Sequence, residues 1–241
     1  MNENIPFVTT DQMREVDRLM MGPYRISLEL MMENAGRALA RLALSRFLGG
    51  DAKGKRVLVL VGSGGNGGGG MVCARNLHNW GASVQLFTSS GTDGFGEVPA
   101  KQLDILDGLK VPLTLVNGVV DLPDADLIID ALVGYSLSGP PRGALASLIR
   151  SANDEQCPVL ALDVPSGLDA ATGAVFEPAI IADATLALGL PKTGLRNSDS
   201  QANIGELYLA DIGIPPELYA KPSIGIRVRS PFAESDIVKL S

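Results

Sequence analysis

Residues that bind transition metals or form disulfides are scarce in this 241-residue sequence. It has two cysteines, Cys73 and Cys157, and one histidine, His78. The cysteines show neither metal-ligand spacing nor the pattern of a disulfide framework, so the sequence argues against a zinc site and a disulfide-stapled fold. We expect both cysteines to be small buried apolar residues.

Clusters of basic residues and long apolar runs are also missing. The formal net charge is −7 and the pI is about 4.8, which argues against nucleic-acid binding. The longest apolar runs, such as 57–61 and 127–129, are far shorter than the roughly 20 residues of a membrane-spanning helix. Residues 1–4 lack the basic and apolar regions of a secretory signal. We therefore expect a soluble, cytoplasmic protein that binds neither nucleic acid nor membrane.

Apolar residues make up 46% of the chain and follow helical and strand-like patterns in turn. A cap at Thr10 or Asp11 predicts a first helix, and a second extends from Ser27 to Gly49-Gly50. Further helices are predicted after Gly70, over 98–109 and over 143–153, and strands over 57–61, 82–87, 113–116, 127–129, 159–162, 184–188 and 206–210. This alternation predicts one α/β domain over residues 1–241, with helices on both faces of a mostly parallel, doubly wound sheet.

The first predicted strand is followed directly by a glycine-rich loop, residues 62–70. Its start, Gly62-Ser63-Gly64-Gly65-Asn66-Gly67, matches the dinucleotide pattern Gly-x-Gly-x-x-Gly between a strand and a helix. Backbone N–H groups and the helix N-terminus could hold a phosphate there, as in a Rossmann-like fold, although glycine also suits a tight strand-to-helix turn. The second predicted strand leads into Thr88-Ser89-Ser90, without the acidic residue that binds ribose in NAD dehydrogenases. An ordinary NAD(P) oxidoreductase is therefore disfavoured.

Two predicted strands are each followed by a carboxylate. Asp130 follows 127–129, and Asp163 follows 159–162. Ligands of open α/β sheets bind at this end of the strands, but a helix cap or turn explains Asp130 equally well. Pro165-Ser166-Gly167 then places a hydroxyl in the same region, which suits a monovalent cation or a direct ligand contact.

These segments together resemble the YjeF N-terminal domain family, the NAD(P)H-hydrate epimerases. The resemblance rests on the loop at 62–70, on Asp130-Ala131-Leu132-Val133-Gly134 and on the motif at 162–173, with further matches at Asp17, 32–37 and 190–195. It covers most of the chain. It implies a three-layer αβα sandwich, usually a homodimer, that interconverts the R and S forms of hydrated NADH or NADPH, the hydrate being substrate rather than cofactor.

The resemblance also implies roles for individual residues. A potassium ion would be held by Asn66, Asp130 and Ser166. Asp163 would contact the hydrated nicotinamide and is the candidate acid–base residue, because the hydroxyl must leave as water and return on the other face. The implied substrate contacts are Gly64, Gly65, Asn66, Gly67, Gly68, Gly69, Gly134, Tyr135, Ser136, Leu137, Ser138, Gly139, Pro140, Asp163 and Lys192. A surface lysine is an equally good description of Lys192.

The chain departs from the family pattern in two segments. Gly65 and Gly69 replace an asparagine and an aspartate of the family loop, and Gly134-Tyr135-Ser136-Leu137 replaces Gly-Thr-Gly-Leu. The alternative function is therefore a catalytically degenerate member that binds a nucleotide-like ligand or acts as a dimeric scaffold. The tail from about residue 222 resembles the segment that leads into a fused, kinase-like dehydratase domain.

Overall fold

A computed structural model describes residues 5–240, which form an α/β domain around one eight-stranded sheet. The strands lie in the order β3-β2-β1-β4-β5-β6-β7-β8, and β8 alone is antiparallel to its neighbour. Their bounds are Arg56–Val61 (β1), Ser83–Thr88 (β2), Leu113–Leu115 (β3), Leu127–Ala131 (β4), Val159–Leu162 (β5), Ala184–Leu188 (β6), Glu206–Ala210 (β7) and Ile237–Lys239 (β8). The mostly parallel, doubly wound sheet is confirmed.

The helices cover both faces of the sheet. They are Thr10–Met21 (α1), Leu28–Leu42 (α2), Gly65–Asn79 (α3), Glu97–Gly108 (α4), Gly143–Asp154 (α5), Gln201–Ile204 (α6) and Pro216–Tyr219 (α7). Val57, Val59 and Val61 of β1 pack in one core with α2, α3 and α4, whereas Leu58 and Leu60 pack in a second core with α5. The apolar run of β1 is continuous because both of its faces are buried. Within residues 5–240, the structure contains no helix with the length and apolarity needed to cross a membrane.

Several predicted boundaries need correction. Thr9, not Thr10 or Asp11, caps α1, because its hydroxyl accepts from the Gln12 N–H while the Gln12 side chain accepts from the Thr9 N–H. Helix α2 ends at Leu42 and continues as a π-helical turn over Ala43–Phe47. Strand β4 includes Asp130, which is therefore neither a helix cap nor a turn residue. Cys73 is buried as expected, but Cys157 is only partly buried.

Helix α3 begins at Gly65, inside the glycine loop and not after Gly70. Glycine costs about 1 kcal/mol relative to alanine inside a helix, so this start runs against local propensity. Tertiary packing explains it. A Cβ on Gly67 would lie 1.7 Å from the Gly62 carbonyl oxygen, and one on Gly70 would lie 2.4 Å from Cβ of Ala131 in β4. These glycines allow α3 to approach the sheet closely.

Candidate active site

A cavity of about 350 Å³ lies at the carboxyl ends of the central strands. Helices α1 and α2 form its mostly apolar wall, and the glycine loop, the segments after β4, β5 and β6 and Asp17 of α1 supply its polar groups. The lining residues are Met13, Asp17, Met21, Leu28, Met31, Met32, Ala35, Gly65, Asn66, Gly69, Gly134, Tyr135, Ser136, Leu162, Asp163, Leu188, Lys192 and Ile212. This is the end of an open α/β sheet at which ligands bind.

A buried ion pair between Asp163 and Lys192 lies in this cavity. Their exposed fractions are 3% and 1%, so Lys192 is not a surface lysine and that description is wrong. The Lys192 Nζ lies 2.5 Å from Asp163 Oδ1 and donates to the Leu188 carbonyl at 3.0 Å, while the Tyr135 backbone N–H donates to Asp163 Oδ2 at 3.2 Å. Because burying two charges is costly even when they pair, such a pair beside a cavity indicates function.

Asp130 and Ser166 form a second buried cluster, outside the residues that line the cavity. The Ser166 hydroxyl donates to Asp130 Oδ1 at 2.6 Å, its backbone N–H donates to Oδ2 at 2.7 Å, and the Leu132 N–H donates to Oδ1 at 3.2 Å. Asp130 is 0% exposed. Burial raises the pKa of Asp130 to about 6, although the hydrogen bonds from Ser166 and Leu132 act in the opposite direction.

Asn66 is the second residue of α3 and lines the cavity. Its Nδ2 is buried and has no hydrogen-bond partner among the residues that the structure describes. Gly134 lies beside it, where a Cβ would be 3.2 Å from Asn66 Oδ1 and 3.0 Å from Asp163 Oδ2. The absence of a side chain at Gly134 therefore lets the Asn66 amide and the Asp163 carboxylate lie close together.

Asp17 and Tyr135 form a pair that the sequence patterns did not predict. The Tyr135 hydroxyl donates to Asp17 Oδ2 at 2.5 Å, and both residues line the cavity. Burial raises the pKa of Asp17, and burial together with the Asp17 charge raises the pKa of Tyr135. The sequence does contain a sign that Asp17 faces the interior. This residue lies on the apolar stripe of α1, four residues after Met13 and three before Met20.

The other predicted contact residues divide into two groups. Gly65, Asn66, Gly69, Gly134, Tyr135, Ser136, Asp163 and Lys192 line the cavity. The remaining seven lie outside the lining: Gly64, Gly67, Gly68, Leu137, Ser138, Gly139 and Pro140. Gly64 is the N-cap of α3, and Gly67 and Gly68 are buried in helix packing. The contacts predicted for this second group stay predictions.

A cavity at the carboxyl ends of parallel strands, with buried titratable groups beside a glycine loop, is typical of α/β domains that bind small molecules. The family model described as YjeF-related protein N-terminus matches residues 28–194. The chain belongs to this family, as the resemblance predicted.

Named relatives agree with this assignment. The chain is 43% identical over 238 residues to the NAD(P)H-hydrate epimerase of Dehalogenimonas lykanthroporepellens, covering 97% of this chain and 92% of the relative. It is 32% identical over 223 residues to the NAD(P)H-hydrate epimerase of Rhodopirellula baltica, covering 91% and 89%. The bifunctional NAD(P)H-hydrate repair enzyme Nnr of Moorella thermoacetica is 36% identical over 220 residues, which are 88% of this chain and 41% of that enzyme.

A solved structure has the same fold. The crystal structure of yeast ynu0, YNL200c, matches with a TM-score of 0.78 and 26% sequence identity. The match covers 98% of this chain and all of the yeast chain (100%). The fold prediction is therefore confirmed along nearly the whole sequence.

Proposed function

We propose that this protein is an NAD(P)H-hydrate epimerase, which interconverts the R and S forms of hydrated NADH and NADPH. The observation that carries the proposal is the Asp163–Lys192 pair buried in the cavity beside the glycine loop. The names of the relatives support it, since proteins 43% and 32% identical to this chain over most of their lengths are NAD(P)H-hydrate epimerases.

Asp163 carries the proton transfer in this proposal. The reacting carbon of the hydrate bears a hydroxyl and is bonded to the ring nitrogen. When the Asp163 carboxyl donates a proton, the hydroxyl leaves as water and the nitrogen lone pair forms a C=N⁺ bond. Water then adds to the other face and passes one proton to a carboxylate of the cavity, which balances the proton that Asp163 gave, so no oxidant or reductant is consumed. Lys192 and the Tyr135 N–H each hold one oxygen of Asp163, which fixes the direction of the carboxyl group.

The two walls of the cavity suit the two ends of such a substrate. Met13, Met31 and Met32 in the α1–α2 wall offer adaptable apolar contact to the ring. The N-terminus of α3 offers backbone N–H groups and a positive dipole end to a diphosphate. The nicotinamide end therefore lies against the methionines, and the phosphates lie at the glycine loop.

Backbone groups replace the two side chains that the family loop has at positions 65 and 69. A Cβ at Gly69 would lie 2.8 Å from Leu162 Cδ2, so Leu162 fills the space that a side chain at 69 would need. Apart from its chain neighbours and the backbone of its own helix, nothing in residues 5–240 comes within 4 Å of a Cβ at Gly65, and this position stays open to the cavity. Substrate recognition at the loop thus relies on main-chain N–H groups and on Asn66.

We also propose that Asn66, Asp130 and Ser166 hold a potassium ion. One observation supports these ligands. Asp130 is fully buried, and among the residues described no basic side chain contributes to its pKa. Buried carboxylates are paired or coordinate metals, and amide, carboxylate and hydroxyl oxygens suit a hard cation. When bound, the ion supplies positive charge near the cavity.

The assembly and location complete the proposal. We infer a homodimer in the cytoplasm that acts together with a kinase-like dehydratase, either fused or separate. The bifunctional relatives support a second repair domain as partner, because the 220 matched residues make up 41% of the bifunctional NAD(P)H-hydrate repair enzyme of Moorella thermoacetica. The tail also contributes to the domain itself, since Ile237–Lys239 pairs with β7.

Incubation with single epimers of hydrated NADH and NADPH tests the activity. R and S forms are incubated separately with the protein and separated by chromatography, and we expect interconversion faster than in buffer for both. A rate equal to that in buffer for every hydrate would refute the enzyme and leave a ligand-binding or scaffold protein.

The variant Asp163→Asn tests the acid–base assignment. We expect the epimerisation rate to fall by at least about 100-fold, because the amide cannot exchange a proton with the substrate. Circular dichroism checks that the variant is folded. Asp169→Asn is the matched control in the same loop, since Asp169 caps a turn through the N–H groups of Ala171 and Thr172 outside the cavity. Turnover retained in Asp163→Asn would remove Asp163 from the mechanism.

A further inference from the structure

A second carboxyl group lies in the cavity that holds Asp163. Asp17 of α1 lines this cavity, and its Oδ2 accepts a hydrogen bond from the Tyr135 hydroxyl. Among residues 5–240, no group donates a hydrogen bond to its Oδ1. One oxygen is therefore held in place, and the other is available to a ligand.

Tyr135 connects the two carboxyl groups. Its backbone N–H donates to Asp163 Oδ2 at 3.2 Å, and its hydroxyl donates to Asp17 Oδ2 at 2.5 Å. Lys192 lies on the Asp163 side, with Nζ 2.5 Å from Asp163 Oδ1 and 5.7 Å from the centre of the Tyr135 ring. The two carboxyls thus belong to one hydrogen-bonded network, but only Asp163 has a lysine in direct contact.

Epimerisation requires proton transfer on both faces of the substrate ring. The hydroxyl leaves from one face, and water returns to the other. A carboxyl fixed by two hydrogen bonds, as Asp163 is, reaches one face of a substrate held in one pose. A second group is needed for the other face unless the substrate turns over in the cavity.

We propose that Asp17 is the second acid–base residue of this epimerase and that Tyr135 positions it. In one direction, Asp163 donates a proton to the departing hydroxyl and Asp17 accepts a proton from the water that adds to the opposite face. In the other direction the two carboxyls exchange roles, so atoms and charge balance. This inference rests on the proposed function.

The environment of Asp17 suits this role. Burial is the largest influence and raises the pKa of Asp17; Asp163 also raises it, whereas Tyr135 and Lys192 lower it. The carboxyl therefore holds its proton to a higher pH than an exposed aspartate does. The pKa of Tyr135 is raised, so the phenol keeps its proton and remains the donor. Tyr219 of α7 faces the same carboxylate.

Exchange of the substrate hydroxyl oxygen with water distinguishes a mechanism with two acid–base residues from a mechanism with one. Each epimer is incubated in H₂¹⁸O with wild-type protein, Asp17→Asn or Asp163→Asn, and both inversion and ¹⁸O incorporation are measured above the buffer rate. In Asp17→Asn we expect inversion to fall at least about 100-fold, while one epimer still exchanges its hydroxyl oxygen without inverting. In Asp163→Asn we expect such exchange in the other epimer.

Three other results would overturn the inference. In the first, Asp17→Asn inverts the substrate at a rate within about threefold of the wild type. In the second, a variant that no longer inverts the substrate also exchanges the oxygen of neither epimer. In the third, both variants exchange the oxygen of the same epimer. Asp11→Asn, which changes an exposed carboxylate on the same helix, is the matched control and keeps wild-type rates. Wild-type protein without activity would refute the proposed function itself, which separates the two failures.

Tyr135→Phe tests the positioning role through the pH profile. Loss of the phenol removes a hydrogen bond that lowers the pKa of Asp17. One limb of the plot of kcat/KM against pH should reflect Asp17 and should therefore be absent in Asp17→Asn. In Tyr135→Phe we expect this limb to move to higher pH, and we expect the rate to fall less than in Asp17→Asn. A profile identical to that of the wild type would remove Tyr135 from the proposal.

Discussion

Asp163 has a backbone conformation that few residues adopt. Its φ is +69°, in the left-handed region, and its N–H still donates to the Leu186 carbonyl of β6 at 2.8 Å. Non-glycine residues in this region store strain of about 1–3 kcal/mol, and such strain clusters at functional sites, although aspartate and asparagine tolerate it best. The turn directs the carboxylate into the cavity directly at the end of β5. An asparagine at this position would keep the backbone conformation. Asp163→Asn therefore tests the role of the carboxyl group in proton transfer without disturbing the turn.

Lys192→Met should destabilise the protein strongly. The substitution leaves the Asp163 carboxylate buried without its cation, and breaking a buried pair costs about 3–5 kcal/mol. Urea denaturation measures the loss. The double variant Asp163→Asn/Lys192→Met should lose less than the sum of the single variants, because no buried charge then remains unpaired.

Lys53→Met is the control for this prediction, since Lys53 is exposed. Surface substitutions usually stay within about 0.5 kcal/mol. A Lys192→Met variant as stable as this control, or strictly additive losses in the double variant, would show that the pair contributes nothing to stability.

At the scale of elements, the contact between α2 and α3 depends on glycine. A Cβ on Gly36 would lie 2.4 Å from Cβ of Val72 and 2.5 Å from the Gly69 carbonyl oxygen. This close approach seats α2 beside the glycine loop and places Met32 and Ala35 in the cavity wall. The packing of two helices therefore shapes the site.

Gly36→Ala should lower the free energy of unfolding by about 1–3 kcal/mol, the usual cost of overpacking. Gly108→Ala is the matched control, because a Cβ at this last residue of α4 would meet nothing within 4 Å in the described part of the chain beyond its own helix backbone and chain neighbours. There alanine should be neutral or stabilising by up to about 1 kcal/mol, through helix propensity. Chemical denaturation of both variants measures the difference, and equal effects would contradict the packing argument.

Glu206 ties β7 to β8 and to the π-helical turn. It accepts from Arg46 at 2.7 Å, from Lys239 at 2.9 Å and from the Tyr208 hydroxyl at 2.8 Å. The hydrogen bond from Arg46, followed by those from Lys239 and Tyr208, lowers the pKa of Glu206 from 4.5 to about 2. Because the folded pKa is the lower one, this stabilisation is present above pH 4.5 and is lost as the pH falls toward 2.

Glu206→Gln should therefore flatten the dependence of thermal stability on pH between 4.5 and 2. The effect at neutral pH should be at most about 1 kcal/mol, since the cluster is partly exposed to solvent. Unfolding midpoints measured across this window test the sign. Glu234→Gln, at an exposed position of the tail, is the control; a Glu206→Gln curve that parallels that of the control would contradict the assignment.

Elements with a strong local pattern were predicted well, and those that depend on distant contacts were not. Strands β5, β6 and β7 have their predicted bounds, because short segments made mostly of leucine and alanine lie between turns. Strand β8 was missed, since three residues at a sheet edge carry little signal. The start of α3 was placed too late, because the packing of Gly67 and Gly70 overrides glycine's poor helix propensity.

At the scale of the whole molecule, the site forms where the strand order reverses between β1 and β4. The sequence did not show this switch point, but the carboxyl ends of the predicted strands placed the glycine loop, Asp130 and Asp163 at one end of the sheet. The position of α1 over the cavity could not be predicted, because it depends on packing against residues near 190 and 212–224. The Asp17–Tyr135 contact and the burial of Lys192 follow from that long-range packing.

Potassium should stabilise the whole domain, because a ligand that binds only the native state shifts the unfolding equilibrium. At a concentration 100 times Kd the gain is about 2.7 kcal/mol, and for a chain of this size each kcal/mol raises Tm by about 2–4 °C. Potassium chloride should thus raise Tm by several degrees above tetramethylammonium chloride at equal ionic strength. Asp130→Asn should remove this difference, since it removes the one carboxylate among the proposed ligands.

The control for this prediction is Asp183→Asn. Asp183 directly precedes β6, at the amino-terminal ends of the parallel strands, where its carboxylate accepts a hydrogen bond from the Val159 N–H. Because this residue is remote from Asn66, Asp130 and Ser166, the variant should keep the full difference between the two salts even if its own Tm changes. Equal Tm values in the two salts for wild-type protein, or an undiminished difference in Asp130→Asn, would show that this buried carboxylate does not hold the ion.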